Sequence, residues 1–370
     1  MKQPSSHRIP ADIRIKNDKP IQNVADYIGR VNQYLQMQPN SVFVYRGEPQ
    51  IYEKPCVPNL YRDGILGENC FFEKSLFDAM RQNRLTKEFR YLDNAIDAQH
   101  GEFPSRLLDV SYNCLTALYF AVTPYYHKPE TYYDEEDGAV YVFFIDEMFS
   151  PSGENTNKYY DAIINHNPSW IDQTLFEKNH KFIDHVKLSD RIIAQQGAFI
   201  LFQGTGLEEL PQYMYCGITI PGANKAKMRQ ELKQMFGIHT GSIYPETVNL
   251  VGEMRDKSSR LNTKCFSMEN ELEYVLKQLE KELDYYLSYL VGQHRADAPN
   301  MEIILIYIEK IIESYRRGLL LLRQSLSEEK DLVALNRAAK KYSRLVRQFA
   351  EAVKDYEIGT FSGEKLQELW

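Results

Sequence analysis

The chain has 370 residues, of which 43% are hydrophobic, 26% charged and 12% aromatic, and its 51 acidic side chains outnumber its 44 basic ones. This composition excludes a disordered, collagen-like or disulfide-scaffold protein, and at roughly 100–200 residues per domain the length predicts two domains. The net charge of −7 argues against broad electrostatic coating of nucleic acid or of an anionic membrane, but it leaves room for one local basic patch.

The five cysteines are odd in number, and none lies in a C-x-x-C pair or beside a histidine at zinc spacing. This pattern predicts free thiols in a reducing compartment and no metal site. The first 20 residues lack the apolar stretch of a signal peptide, and the chain has no uncharged apolar run of about 18 residues. We therefore expect a cytoplasmic protein without a membrane partner.

The first 260 residues mix helical and strand patterns. After a polar arm, apolar residues at helical spacing predict a short helix near 24–35, and later helices are expected over 71–99, 115–122 and 225–236. Asp109 and Ser111 are the expected caps of the helix over 115–122. Runs rich in β-branched and aromatic residues predict the strands of a central sheet at 42–46, 138–145, 197–202 and 214–220.

Beyond residue 260 the strand patterns end, and three long segments show unbroken helical periodicity. Their short connections require consecutive helices to run antiparallel. We therefore predict an α+β fold, a mixed-sheet domain followed by a C-terminal antiparallel helical bundle. The expected parts are an N-terminal arm and helix over 1–40, the α+β domain over 41–255 and the bundle over 268–357. Charge runs on the bundle are read as solvated faces, with a protein partner or self-association as the alternative.

Charged residues within apolar runs are the candidates for chemistry. Arg46 ends an apolar strand, and a buried arginine needs a carboxylate or an anionic ligand. Arg106 and Asp109 lie three residues apart. If these residues have only a structural role, they form an internal ion pair, and Arg46 also reaches Asp109. His100 precedes a glycine and is either an acid or base or a hydrogen-bonded loop histidine.

Short motifs in order along residues 41–250 resemble the FRG domain, a bacterial and phage-associated family named for its F-R-G signature. The motifs lie at Tyr45-Arg46-Gly47, where tyrosine replaces phenylalanine, and at 58–62, 99–109, 117–121, 196–199, 220–225 and 244–245. Ser105 stands where threonine is usual, and Val110 where tryptophan is usual. The resemblance implies the domain assignment, and by analogy a toxin or phage-defence effector.

The segment 44–47 also looks like the first strand of ADP-ribosyltransferases, in which an arginine holds a nicotinamide dinucleotide through its phosphates. An arginine fork suits phosphate oxygens because it makes paired charge-assisted hydrogen bonds. The chain departs from that pattern because it has Gln195-Gln196-Gly197 where a catalytic glutamate is expected.

Three hypotheses follow. In the first, an enzyme acts on the glycosidic bond of NAD as substrate, with its catalytic residues converging on one cleft; the set is Arg46, His100, Arg106, Asp109 and Gln196. Arg46, Gly47 and Arg106 would hold the phosphates. In the second, the same cleft binds a nucleotide or a nucleic-acid end without turnover. In the third, the polar residues form an internal network and the bundle carries the function. We expect Arg46, Arg106, Asp109 and Gln196 to lie close together, because polar residues within apolar runs need partners. The enzyme and network hypotheses both depend on Arg46 lying near Arg106.

Overall fold

A computed structural model describes residues 20–39, 41–62, 65–86, 90–100, 103–184, 189–295, 301–358, 361 and 364–369. Residues 1–19 of the expected N-terminal arm lie outside this range. The chain divides into two compact units between Ser259 and Arg260.

The strands are β1 (Val42–Glu48), β2 (Leu107–Ser111), β3 (Gly138–Ile145), β4 (Met148–Phe149), β5 (Lys181–Ile183), β6 (Gly197–Leu201) and β7 (Tyr215–Ile220). The helices are α1 (Val24–Met37), α2 (Asn59–Arg62), α3 (Ile65–Glu68), α4 (Phe72–Gln82), α5 (Tyr91–His100), α6 (Cys114–Val122), α7 (Glu154–Asn165), α8 (Thr174–Glu177), α9 (Asp190–Gln195), α10 (Lys225–Phe236), α11 (Thr240–Ile243), α12 (Thr247–Ser258), α13 (Met268–Arg295), α14 (Met301–Ser325), α15 (Glu329–Asp355) and α16 (Glu364–Gln367).

The first unit is built on one seven-stranded sheet in the order β4-β5-β6-β2-β1-β3-β7. The β4 and β5 strands are parallel and the other neighbours are antiparallel, so the sheet is mixed as predicted. The four strands expected from the sequence are present within one or two residues at each end.

Both faces of the sheet are covered, which explains the continuous apolar run of β3. Every residue of β3 is buried. Val140, Val142 and Phe144 pack into the core shared with α1, α6 and α10, whereas Tyr141 and Phe143 pack into the core on the opposite face. Alternate residues of a strand point to opposite faces, so a strand covered on both sides reads as uninterrupted apolar sequence.

The helix α6 packs against β1 and β3 at two glycines. A Cβ on Gly47 would lie 1.8 Å from the carbonyl oxygen of Ala117, and one on Gly138 would lie 2.3 Å from that of Ala121. Backbone therefore contacts backbone, and no side chain larger than hydrogen fits at either position.

Two local expectations were wrong. Asn113 caps α6, with its side-chain oxygen accepting from the backbone N–H of Leu115 at 2.9 Å, whereas Asp109 and Ser111 belong to β2. The helical pattern over 71–99 forms two helices, α4 and α5, instead of one continuous helix.

The second unit contains the predicted bundle of α13, α14 and α15. Its core is formed by residues at helical spacing on all three helices; examples are Leu276, Leu283, Ile308, Ile312, Tyr342 and Phe349. The residues described between 268 and 355 are helical apart from the short connection after Ser325, as expected. Among the described residues, no helix has both the length and the apolar composition needed to cross a bilayer.

Gly47→Ala is expected to destabilise the first unit by about 1–3 kcal/mol or more, because a Cβ at this position overlaps the backbone of α6. Urea unfolding measures the change. Gly29→Ala is the matched control, since a Cβ on Gly29 in α1 meets no atom within 4 Å and alanine favours a helix. Equal stability of Gly47→Ala and wild type would contradict the packing argument.

His180 provides a test of pH dependence. Its two ring nitrogens are buried and have no hydrogen-bond partner in the described structure, its ring packs 4.4 Å from that of Phe202, and burial lowers its pKa from 6.5 to about 4. The unfolded chain therefore binds more protons than the folded one below pH 6.5, so stability falls as the pH falls from 6.5 towards 4. Between pH 7 and pH 5 this loss amounts to about 2 kcal/mol.

In the variant His180→Phe this part of the acid destabilisation is expected to disappear. Urea unfolding at pH 7 and pH 5 compares it with wild type and with His294→Gln, which removes an exposed histidine. An unchanged difference between the two pH values in His180→Phe would show that another group dominates.

Candidate functional site

A cavity of about 360 Å³ lies where β1 meets β2. These strands are paired at one position, Tyr45 opposite Ser111, and both residues line the cavity. The remaining walls come from α2, α5, α6, α9 and the segments that follow α6 and α11. The other lining residues are Arg46, Gly47, Asn59, Gln99, Asp109, Val110, Phe120, Tyr125, Arg191, Gln195 and Tyr244.

Glu48 orients the Arg46 side chain through an ion pair. Its Nε donates to Glu48 Oε1 at 3.0 Å, and its Nη1 donates to the backbone carbonyl of Asp109 at 2.8 Å. Glu48 is 1% exposed and also accepts from the backbone N–H of Cys56 at 3.1 Å. An arginine has five N–H donors, so three donors of Arg46 remain without a partner among the described residues.

The Asp109 carboxylate is open to the cavity and makes no hydrogen bond to any described residue. Asp109 is exposed, but the protein around the cavity still desolvates its carboxylate, which raises its pKa against the opposing effects of the Arg46 and Arg191 guanidinium groups. A carboxylate with a raised pKa between two cations in a concave site is a common feature of functional sites. It can accept a ligand hydroxyl or take up a proton.

The opposite wall combines a second cation with aromatic rings. The Arg191 guanidinium lies 4.7 Å from the ring centre of Tyr244 and 5.8 Å from that of Tyr125. Both distances are within the range of cation–π attraction, which holds the guanidinium at this wall. Gln195 follows one helical turn later on the same face of α9, and its Nε2 donates to the carbonyl of Ile243 at 3.2 Å.

Side-chain amide groups also line the cavity. Gln99 Nε2 donates to Ser105 Oγ at 3.0 Å and to the carbonyl of Leu107, whereas its buried Oε1 has no partner in the described part of the chain. A smaller cavity of about 70 Å³ shares Arg46, Asn59, Gln99 and Asp109 with the main one. The two cavities therefore adjoin at these four residues.

Arg106 does not line the cavity, and its predicted pairing with Asp109 was wrong. Its Nε is 2.6 Å from Glu73 Oε2, and each side chain is 1% exposed. The hydroxyl of Tyr160 donates to the same carboxylate at 2.9 Å. Residues three apart along extended chain point to opposite faces, which separates Arg106 from Asp109. Arg106 is therefore a structural residue of the core.

Some of the other predicted site residues line the cavity, and some do not. Arg46, Gly47 and Asp109 line the cavity. Gln196 is exposed, has left-handed backbone with φ of 48° as the C-cap of α9, and does not line the cavity. His100 is the last residue of α5, and its side chain lies outside what the structure describes. The expected convergence of Arg46, Arg106, Asp109 and Gln196 was thus correct only for Arg46 and Asp109.

Several residues of the site were missed, and most of them carried a signal in the sequence. Glu48 follows Arg46 by two residues, the spacing that places two side chains on the same side of a strand. Arg191 and Gln195 are four apart and share a helix face, which favours Gln195 over Gln196. Tyr125 had no signal beyond the general excess of tyrosine. Among the described residues, no group of three or more His, Cys, Asp and Glu side chains is arranged to hold a metal ion.

Residues 41–130 match the family model of the FRG domain, so an FRG domain is present in this chain. This segment supplies β1, β2, α5, α6 and most of the cavity, including Arg46 and Asp109. The residues on the opposite wall, Arg191, Gln195 and Tyr244, lie beyond the match. Comparisons with curated proteins and with solved structures give no match.

Glu73→Gln is expected to lower the free energy of unfolding by about 3–5 kcal/mol, because it leaves the buried Arg106 charge uncompensated. The matched control is Glu154→Gln, which breaks an exposed pair with Lys158 and is expected to change stability by less than about 1 kcal/mol. Urea unfolding of both variants decides, and equal losses would contradict a structural role for the Arg106 pair.

Proposed function

We propose that the cavity binds a phosphate-bearing nucleotide ligand, with Arg46 as the principal anchor of the phosphate. The observation that carries the proposal is that Arg46, preoriented by a buried carboxylate, retains three N–H donors beside the cavity. A planar guanidinium with free donors is the side chain best suited to phosphate oxygens.

The volume and lining of the cavity favour one nucleotide unit. Ligand cavities span roughly 300–1,000 Å³, and this one is near the lower end. Phe120, Tyr125 and Tyr244 offer ring surfaces for a base, and the Asp109 carboxylate offers an acceptor for a ribose hydroxyl. A dinucleotide such as NAD would place one half in the cavity and the other outside it.

The position of Asp109 favours a second candidate function, glycosidic-bond chemistry on a nicotinamide dinucleotide. In hydrolysis, water attacks the anomeric carbon of the ribose, the bond to the nicotinamide nitrogen breaks, and nicotinamide leaves with the electron pair. A proton of the water passes to a carboxylate or to solvent. Negative charge near the ribose would stabilise the oxocarbenium-like transition state. ADP-ribosyl transfer differs only in that an acceptor replaces the water.

Calorimetric titration of the full chain with AMP, ADP and NAD tests the binding proposal. Arg46→Ala is expected to weaken binding by about 1.5–3 kcal/mol, or roughly 10- to 150-fold, and Arg46→Lys is expected to recover part of the loss. The matched control is Arg62→Ala, since Arg62 lies 3.9 Å from the same Glu48 carboxylate and does not line the cavity. Equal affinity of Arg46→Ala and wild type would remove Arg46 as the anchor.

Chromatographic detection of nicotinamide separates the enzyme from the binding module. If the chain cleaves NAD, Asp109→Asn is expected to retain NAD binding and lose nicotinamide release. Binding without release would favour the non-catalytic module. Absence of binding by folded wild type would favour the internal network as the whole role of these residues.

Three broader expectations come from the sequence and the family resemblance and not from the cavity. These are a role as a toxin or phage-defence effector, a cytoplasmic location, and self-association or a protein partner for the bundle. They stay predictions beside the nucleotide proposal.

A further inference from the structure

An open groove of about 1450 Å³ in the second unit carries a row of unneutralised cations. We call it the basic groove and define it by Arg316 of α14, by Lys340, Ser343, Arg344 and Arg347 of α15, and by the C-terminal segment 367–369. It is independent of the cavity in the first unit.

The three cations of α15 lie on one face of the helix. Lys340, Arg344 and Arg347 are spaced by four and three residues, so they follow one another at about 6 Å and 4.5 Å along the helix axis. All three are exposed, and none forms an ion pair with any described residue. The 19 residues from 332 to 350 include five basic side chains and no acidic one.

The other two basic residues of this stretch are neutralised by carboxylates of the bundle. Arg337 Nη1 lies 2.9 Å from Glu269, and Lys341 Nζ lies 3.5 Å from Glu280, both carboxylates on α13. One side of α15 is thus matched by acidic groups within the bundle, and the side in the groove is not. Like charges at this spacing repel one another, and an external anion would relieve the repulsion.

The C-terminal segment forms one wall of the groove. Ser343 Oγ donates to the carbonyl of Gln367 at 2.6 Å, and Arg316 Nε donates to that of Glu368 at 3.0 Å. Arg316 also lies 3.5 Å from Glu313, so its charge is partly neutralised. Glu368 lines the groove as well. The free positive charge therefore belongs to Lys340, Arg344 and Arg347.

The chemistry of the lining indicates the kind of ligand. Only Ala339 and Leu369 are apolar among the described lining residues, and none is aromatic. A protein partner usually needs apolar or aromatic anchors, and single-stranded nucleic acid needs rings for base stacking. Guanidinium, ammonium and hydroxyl groups in a row are the groups that contact phosphates along a duplex. We infer that the basic groove binds the phosphate backbone of a nucleic-acid duplex without reading its sequence.

Fluorescence anisotropy with the full chain tests this inference, using a labelled 20-base-pair DNA duplex, the same duplex as RNA, and a polyglutamate peptide. The test variant is Lys340→Ala/Arg344→Ala/Arg347→Ala. The matched control is Lys277→Ala/Lys281→Ala/Lys310→Ala, which removes three exposed lysines from α13 and α14, outside the groove. Circular dichroism checks that both variants keep their helices.

Wild type is expected to bind a duplex at 50 mM salt, with the affinity falling as salt rises. Each phosphate contact contributes about 0.9 to the slope of log affinity against log salt. The groove variant is therefore expected to lose about 2.7 from this slope, equivalent to about a 40-fold smaller loss between 50 and 200 mM salt, and to bind at least 10-fold more weakly at 50 mM. The control is expected to stay within 2-fold of wild type.

Three results would overturn the inference. The first is that wild type binds neither duplex at 50 mM salt. The second is an equal loss in the control variant, which would indicate a general charge effect. The third is that polyglutamate, and neither duplex, depends on the three cations, because the groove would then serve an acidic protein.

Discussion

The contact between the backbones of α6 and β1 at Gly47 determines the geometry of the first unit. Without room for a Cβ, the strand and helix approach until the carbonyl of Ala117 lies against the glycine. Arg46 directly precedes Gly47, and Phe120 lies three residues after Ala117. The same contact therefore sets the distance between two walls of the cavity. The glycine of the signature therefore serves packing, while the arginine beside it serves the cavity.

Two arginines that look alike in the sequence have opposite roles because their carboxylates lie at different depths. Arg106 forms an ion pair with Glu73 in the core, where neither side chain is exposed to solvent. Arg46 uses Nε and one Nη1 donor within the protein and presents its other donors to the cavity. A buried carboxylate behind an accessible guanidinium fixes its orientation before any ligand arrives, which lowers the entropy lost on binding.

The parts of the fold that could be predicted are those with long regular patterns. The eight-residue apolar run of β3 predicts a buried strand, and the helical periodicity of the bundle predicts three long helices. β2 was missed because Asp109 interrupts an apolar run, and β4 and β5 have two and three residues, too few for a pattern. In the site, Arg46 and Asp109 could be identified from polar residues in apolar surroundings. The partner of Arg106 could not, since Glu73 lies 33 residues earlier in the chain, on the helix α4.

The cavity draws its walls from residues 45 to 244, whereas the FRG match ends at 130. The matched segment therefore contains the wall with Arg46 and Asp109. The facing wall, with Arg191 and Tyr244, comes from a part of the chain beyond the match. The matched segment alone therefore carries most of the cavity lining but not Arg191, Gln195 or Tyr244. A chain that shared only this segment could keep Arg46 and Asp109 and still present different side chains on the facing wall.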